Sequence, residues 1–229
     1  MVIVDTHVHV FTDDRKNYPQ IRDTARAGSI PTITEIGQTE WPVTTVEILG
    51  QQMKEAGVDK ATLVQAYFVY EYDNRYTIDA ARTDPKRFAS VVVLDPLDPQ
   101  APDELERMVR EDGVTGIRFM RGRLPQTSLG EPATFPLWAR MEKLGIPLAI
   151  NDRIHELPKI RPALEKYPGV AVCLEHAWGH KVGLPPYAVL EPLFAFAGNA
   201  NVYVKTAINN ISAARDAGGT AEALYEKLV

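Results

Sequence analysis

Several features are scarce in this 229-residue chain, and each scarcity excludes a class of protein. Cys173 is the only cysteine, so no disulfide can form within the chain, as is usual in a reducing compartment. No stretch approaches the roughly 18 apolar residues of a membrane span, and no secretory leader pattern stands at the N-terminus. The net charge of −5 gives no electrostatic reason to bind nucleic acid or anionic membrane. We expect a cytoplasmic protein that binds neither.

Glycine-rich phosphate-binding loops are also missing, and this bears on the fold class. Short apolar segments typical of buried parallel strands alternate with helical segments along the whole chain. The predicted strands are residues 2–9, 58–66, 88–94, 114–120, 146–150, 170–174 and 201–206. Seven such units without a dividing linker predict one (β/α)₈ TIM-barrel domain over residues 1–229, rather than an open doubly wound sheet. Strand eight is not recognisable, because one helical segment, residues 221–228, is predicted after the seventh strand.

Histidine is scarce too, with five in the chain, yet two of them lie in the first predicted strand. Side chains alternate along a strand, so Asp5, His7 and His9 share one face. Two imidazoles placed in this way can bind one metal ion. Asp5 could accept the spare ring N–H of a histidine and so determine its tautomer.

The motif Asp5-Thr6-His7-Val8-His9, at the end of an apolar N-terminal strand, resembles the amidohydrolase superfamily, in its amidohydrolase-2 branch of lactonases and decarboxylases. Gly116-Ile117-Arg118, in the fourth strand, is similar to the same family. Glu175-His176-Ala177-Trp178-Gly179 resembles the family's Asp-His-x-Gly after the sixth strand. The glutamate and one inserted residue depart from that pattern.

The resemblance, together with the position of barrel active sites at the carboxyl ends of strands, implies a set of site residues. His176 would polarise a carbonyl or act as acid or base, with a packed loop histidine as the alternative; strand alternation would turn Glu175 away from it. Arg118 and Arg121 would bind a substrate carboxylate, although Arg121 and its neighbour Arg123 could equally be solvated charges. Tyr67 and Asn151, which follow the second and fifth strands, are further candidates for substrate contact.

A divalent metal, Zn²⁺ or Mn²⁺, is implied as a cofactor bound by His7 and His9. Metal-loaded relatives carry a histidine at the end of the fifth strand, where this chain has Asn151, a poor zinc ligand. Catalysis without a metal is therefore an alternative. His180 would be a further ligand if its segment were helical, but Gly179 argues against a helix there. His155 is expected on the surface.

Three more positions have a predicted role. Lys205, in the seventh strand, resembles a family lysine and would need an anionic partner if buried. Asp73 or Asn74 would cap the helix that follows, or contact the ligand. The polar stretch from residue 11 to residue 43 would cover the site or form a surface insertion.

The implied function is a hydrolase that opens a small carboxylated lactone or cyclic amide by attack of activated water. A decarboxylase on the same barrel and an inactive barrel that serves in binding or oligomerisation are the alternatives. The expected partner is a small anionic substrate. The family's catalytic aspartate follows an eighth strand, so we expect the working protein to continue past residue 229. An open strand edge could otherwise borrow a strand from another copy in a homo-oligomer.

Overall fold

A computed structural model describes residues 1–21, 43–120, 128–178 and 187–228. Strands and helices alternate along these residues, as the sequence predicts. The strands are β1 (Val4–Val8), β2 (Lys60–Val64), β3 (Phe88–Val93), β4 (Gly116–Met120), β5 (Leu148–Asn151), β6 (Val172–Leu174) and β7 (Val202–Val204). The α-helices are α1 (Val46–Ala56), α2 (Tyr67–Tyr70), α3 (Arg75–Arg82), α4 (Ala101–Asp112), α5 (Phe135–Leu144), α6 (Arg161–Lys166), α7 (Glu191–Phe194), α8 (Ile208–Asp216) and α9 (Ala221–Leu228).

The residues form two compact units. The first unit comprises Met1–Asp95 and Asp103–Arg118, and the second comprises Pro96–Pro102 and Phe119–Val229. In the first unit β1, β2, β3 and the start of β4 pair in parallel in chain order. In the second unit β5, β6 and β7 do the same. Parallel pairing requires a crossover after each strand, and the intervening helices supply it.

Helix α1 illustrates why the local sequence forms these elements. The Thr45 hydroxyl accepts a hydrogen bond from the backbone N–H of Ile48 and caps the first turn. Gly57 ends the helix in the left-handed conformation, with φ of 69°. Leu49 and Met53 lie one turn apart and are buried in the core of the first unit. The cap, the apolar stripe and the terminal glycine are each recognisable in the sequence as helix signals.

The first strand differs from its prediction. Val2, Ile3 and Val4 are exposed, with 64%, 48% and 47% of their surface accessible, so the expectation of a buried strand is wrong for its first half. Within the described part of the first unit β1 pairs with β2, which places β1 at the edge of that unit's sheet. An apolar run predicts strand conformation, but it does not reveal which strand will lie at an edge.

The second unit contains a helix that the sequence did not predict. Two helices follow β7, namely α8 and α9, whereas one was expected. The α8 sequence is rich in asparagine and serine, which favour turns, and its first residue, Ile208, is 72% exposed. No eighth strand is present in residues 1–21, 43–120, 128–178 and 187–228. Among the helices of these residues, none is long and apolar enough to cross a membrane.

Candidate functional site

His7 and His9, at the end of β1, direct their rings toward each other. Their Nε2 atoms are 3.3 Å apart and the ring planes are nearly perpendicular, at 87°. Two nitrogens bound to one tetrahedral zinc ion, with bonds of about 2.05 Å, are separated by about 3.3 Å. The contact is also short enough for a hydrogen bond between the rings. Strand alternation thus brings these two side chains together, as the sequence indicated.

The second ring nitrogen of His9 determines its tautomer. His9 Nδ1 lies 2.7 Å from the backbone carbonyl oxygen of Val64, the last residue of β2. A carbonyl oxygen can only accept, so Nδ1 carries a hydrogen, and in the neutral imidazole Nε2 then keeps its lone pair. The His9 and Phe68 rings are also nearly perpendicular, with centroids 5.3 Å apart. His9 is therefore held in the tautomer that a metal ligand at Nε2 requires.

Asp5 makes a different contact from the one expected. Its Oδ1 accepts the backbone N–H of His7 at 3.0 Å. The ring N–H of His9 is bound by Val64 instead. Asp5 thus supports the backbone of the histidine pair, and its proposed contact with an imidazole remains a prediction.

Arg118 lies in β4 and is 2% exposed. Its Cα is in register with Val93 of β3.

Asn74 holds this end of β3, because its side chain accepts the Val93 N–H and donates to the Val93 carbonyl, both at 2.8 Å. Asn74 therefore joins the loop before α3 to the sheet, and its side chain makes no capping hydrogen bond to that helix. The helix start is bound by Asp73, which accepts the backbone N–H of Arg75 at 3.1 Å.

Tyr67 begins α2, directly after β2, and is 6% exposed. Its ring meets that of Tyr72 edge to face, with centroids 5.3 Å apart. Burial is the main cause that raises the pKa of Tyr72 above its ordinary value. The negative charge that the nearby Tyr67 would carry if ionised raises this pKa further. The Tyr72 hydroxyl is thus kept in its neutral form, which can donate a hydrogen bond.

His176, in the second unit, lies in the turn Glu175–Trp178 that follows β6. Its φ of 59° is in the left-handed region, which is uncommon for residues other than glycine. Asn210, buried in the first turn of α8, donates from Nδ2 to the His176 carbonyl at 2.6 Å. Its Oδ1 accepts the Ala207 N–H at 2.8 Å, which caps the helix. One asparagine thus holds both the start of α8 and the backbone of His176.

Glu175 is the residue whose position the sequence predicted wrongly. The expectation that it faces away from His176 assumed that strand alternation continues, but β6 ends at Leu174 and the chain turns. The Glu175 side chain is fully buried, with Oε1 3.8 Å from Lys205 Nζ and Oε2 3.9 Å from His176 Nε2. Lys205, the residue after β7, therefore has the anionic partner that a lysine in this region was expected to need.

The other candidates lie apart from these contacts or outside the described residues. Asn151 is the last residue of β5 and is half-buried. The His155 side chain is 65% exposed and lies 3.4 Å from Glu156, so its predicted surface position is confirmed. Burial raises the pKa of the Cys173 thiol. The positions outside the described residues are Arg121, Arg123, Gly179, His180 and most of the stretch after residue 21.

Comparisons with known proteins agree on the fold. The sequence model of a family described as amidohydrolase matches residues 4–226. No curated protein matches the chain. A provisionally assigned 2-pyrone-4,6-dicarboxylic acid hydrolase from Acinetobacter baumannii, with citric acid bound, has a TM-score of 0.71, 20% identity and coverage of 99% of this chain and 80% of its own.

Two further solved structures are similar. A provisionally assigned 2-pyrone-4,6-dicarboxylic acid hydrolase from Pseudomonas putida has a TM-score of 0.65, 24% identity and coverage of 99% and 78%. A dihydroxybenzoic acid decarboxylase from a Polaromonas species, with bound manganese and the inhibitor 2-nitroresorcinol, has a TM-score of 0.63, 16% identity and coverage of 95% and 83%. At these identities the likeness concerns the fold, and the predicted TIM-barrel class is confirmed.

Proposed function

This chain belongs to the amidohydrolase family, and from that membership we propose that it is a hydrolase that opens a small carboxylated lactone or cyclic amide. The family and its solved neighbours support an enzyme. Two of those neighbours are provisionally assigned to a pyrone dicarboxylic acid, which is an unsaturated lactone with two carboxylates. Attack of water on the ring carbonyl opens such a lactone and yields a further carboxylate. A cytoplasmic location remains our expectation.

The observation that carries the proposal is the His7–His9 pair. Two Nε2 atoms 3.3 Å apart, with the lone pair of His9 available because Val64 binds its other nitrogen, form a donor set suited to a divalent ion. A divalent ion bound there would polarise a carbonyl and lower the pKa of a water molecule. The metal is proposed as Zn²⁺ or Mn²⁺, and one neighbour was solved with manganese.

Other residues of the chain have proposed roles in binding and proton transfer. Arg118 is buried and carries a planar guanidinium, which can bind a substrate carboxylate through two parallel hydrogen bonds. His176 has the imidazole that can donate or accept a proton near neutral pH. Arg121, Asn151 and Tyr67 remain candidates for substrate contact, and Asp5 for support of the histidines.

Product analysis tests this function. The purified chain is incubated with 2-pyrone-4,6-dicarboxylate and, separately, with dihydroxybenzoate, and both ring opening and CO₂ release are measured. We expect loss of the pyrone absorbance without CO₂, and loss of that activity in a His7→Ala, His9→Ala double variant. Release of CO₂ would replace the hydrolase with the decarboxylase alternative. A folded, metal-loaded protein without either activity on these and related lactones would favour a binding module.

A further inference from the structure

The second unit contains a buried carboxylate between two nitrogen-bearing side chains. Glu175 has no side-chain surface accessible to solvent, and its two oxygens face different partners. Oε1 is 3.8 Å from the ammonium nitrogen of Lys205, and Oε2 is 3.9 Å from Nε2 of His176. The proposed hydrolysis assigns a role to His176 but none to Glu175 or Lys205.

Electrostatics explains why these three groups belong together. A buried carboxylate is strongly disfavoured unless a positive charge compensates it. Lys205, directly after β7, has a side chain that is 17% exposed and supplies that charge. Because the lysine already compensates the glutamate, the imidazole does not have to remain protonated to stabilise the carboxylate. A fixed negative charge therefore lies beside the His176 imidazole.

The backbone of His176 is restrained separately from its ring. Asn210 binds the His176 carbonyl at 2.6 Å and maintains a left-handed conformation that a histidine does not adopt readily. Asn210 thus determines where the Cα–Cβ bond of His176 points. The rotation of the imidazole about its own side-chain bonds still has to be set, and Glu175 is adjacent to Nε2.

We propose that Glu175 is a positioning residue that orients the His176 imidazole, and that Lys205 acts on this imidazole through Glu175. Glu175 lies beside the His176 ring and its side chain is closed to solvent, so its effect should appear in the chemical step. The inference rests on the proposed hydrolysis only in that kcat is one of its two readouts. The other readout, the ring signals of His176, does not require an active enzyme.

The chain contains a matched control. Glu156 likewise lies between a lysine and a histidine, 2.8 Å from Lys159 and 3.4 Å from His155, but that histidine is exposed. Glu156→Gln therefore removes a carboxylate charge from a similar glutamate–lysine–histidine group that does not include His176. The test variants are Glu175→Gln, Glu175→Asp and Lys205→Met, each in the full chain and each checked for folding by circular dichroism.

The ring signals are measured by ¹⁵N NMR, with those of His176 assigned by their loss in His176→Ala. We expect Glu175→Gln and Lys205→Met to shift the His176 signals and Glu156→Gln to leave them in place. In hydrolysis of 2-pyrone-4,6-dicarboxylate, Glu175→Gln should lower kcat at least about tenfold with KM unchanged, as is typical when a group that orients an imidazole is lost. Glu175→Asp, which keeps the charge, should recover part of kcat.

The outcomes separate this inference from the proposed function. A wild-type chain that hydrolyses the pyrone, with Glu175→Gln leaving both kcat and the His176 signals unchanged, overturns the positioning role alone. A wild-type chain without activity on this pyrone and related lactones refutes the hydrolysis, and the His176 signals then decide the inference by themselves. If Glu175→Gln does not fold, Glu175→Asp is used instead. This variant shortens the side chain by one methylene, so the carboxylate moves away from the imidazole and the His176 ring signals should shift.

Discussion

At the scale of single residues, the ability of His7 and His9 to bind a metal depends on which of their four ring nitrogens carry hydrogen. The Val64 carbonyl accepts the hydrogen on Nδ1 of His9, and Nε2 of His9 is directed toward His7. The sequence could predict that His7 and His9 share a face, because alternation is inherent in a strand. It could not predict the acceptor, because Val64 lies in another strand and acts through its backbone. The place of Glu175 was unpredictable for a related reason, since the last residue of β6 is not marked in the sequence.

Removal of the two imidazoles should abolish metal binding. After loading with Zn²⁺ or Mn²⁺ and dialysis, we expect at most one ion per chain in the wild type and none in the His7→Ala, His9→Ala double variant. Mass spectrometry of the metal content measures this. His155→Ala is the control, because that side chain is exposed and forms its contact with Glu156. Equal metal content in the wild type and the double variant would place the ion elsewhere.

Arg118 should affect substrate binding more than folding. We expect Arg118→Lys to raise KM for a dicarboxylated lactone, because lysine cannot form the two parallel hydrogen bonds of a guanidinium. Steady-state kinetics measures this, and thermal unfolding reports on the fold. Arg87→Lys is a suitable control, since Arg87 is a half-buried arginine before β3 that donates to the backbone carbonyl of Asp59. An unchanged KM for Arg118→Lys would remove Arg118 from the site.

Lys205 should stabilise the fold only while Glu175 is charged. Lys205→Met leaves a buried carboxylate without compensation, so we expect the free energy of unfolding to fall by about 3 kcal/mol. The double variant Glu175→Gln, Lys205→Met removes both charges and should recover most of that loss. Urea unfolding of the four proteins in this cycle measures the coupling. Additive effects would show that the 3.8 Å pair contributes nothing.

At the scale of elements, α8 shows what sequence patterns miss. Helix α9 was predicted, and α1 and α5 carry comparable signals, because buried apolar residues recur along each of these two helices and a glycine ends each one. Helix α8 has a polar sequence and an exposed first residue, so its pattern favours a loop. Its start is held by Asn210 contacts within the fold rather than by a capping motif at the position before the helix.

The two bonds of Asn210 can be separated by substitution. Asn210→Asp keeps an oxygen for the Ala207 N–H but cannot donate to His176, whereas Asn210→Ala loses both bonds. We expect Asn210→Ala to cost about 2 kcal/mol of unfolding free energy, since it leaves buried polar groups unsatisfied. Asn210→Asp should retain the helix yet alter the His176 ring signals in NMR. The prediction fails if Asn210→Asp leaves those signals as they are in the wild type.

At the scale of the whole molecule, the fold class was predictable because strand and helix alternate and no nucleotide-binding loop is present. The single-domain boundary over residues 1–229 remains a prediction. The substrate could not be derived, because the residues proposed to contact it, such as Tyr67, Arg118 and Asn151, are distant in sequence. Edge strands were also not predictable, as β1 demonstrates with exposed Val2, Ile3 and Val4.

The exposed start of the first strand should favour association between copies. An apolar strand at a sheet edge offers backbone groups and side chains to another chain. We expect the apparent mass in light scattering to rise with protein concentration and Ile3→Lys to reduce this rise, because an edge lysine opposes strand pairing. Ile48→Lys, at an exposed position of α1, controls for added charge. A mass independent of concentration in both proteins would contradict this expectation.

The hydrogen bond from His9 to Val64 has a consequence for how the chain can vary. Its acceptor is a peptide oxygen, which every amino acid carries, so position 64 can change its side chain without losing the acceptor. A set of homologous sequences could therefore show no trace of this restraint. Mutational scanning would likewise miss it, and replacement of the peptide bond after residue 64 by an ester, which weakens the carbonyl as an acceptor, would reveal it.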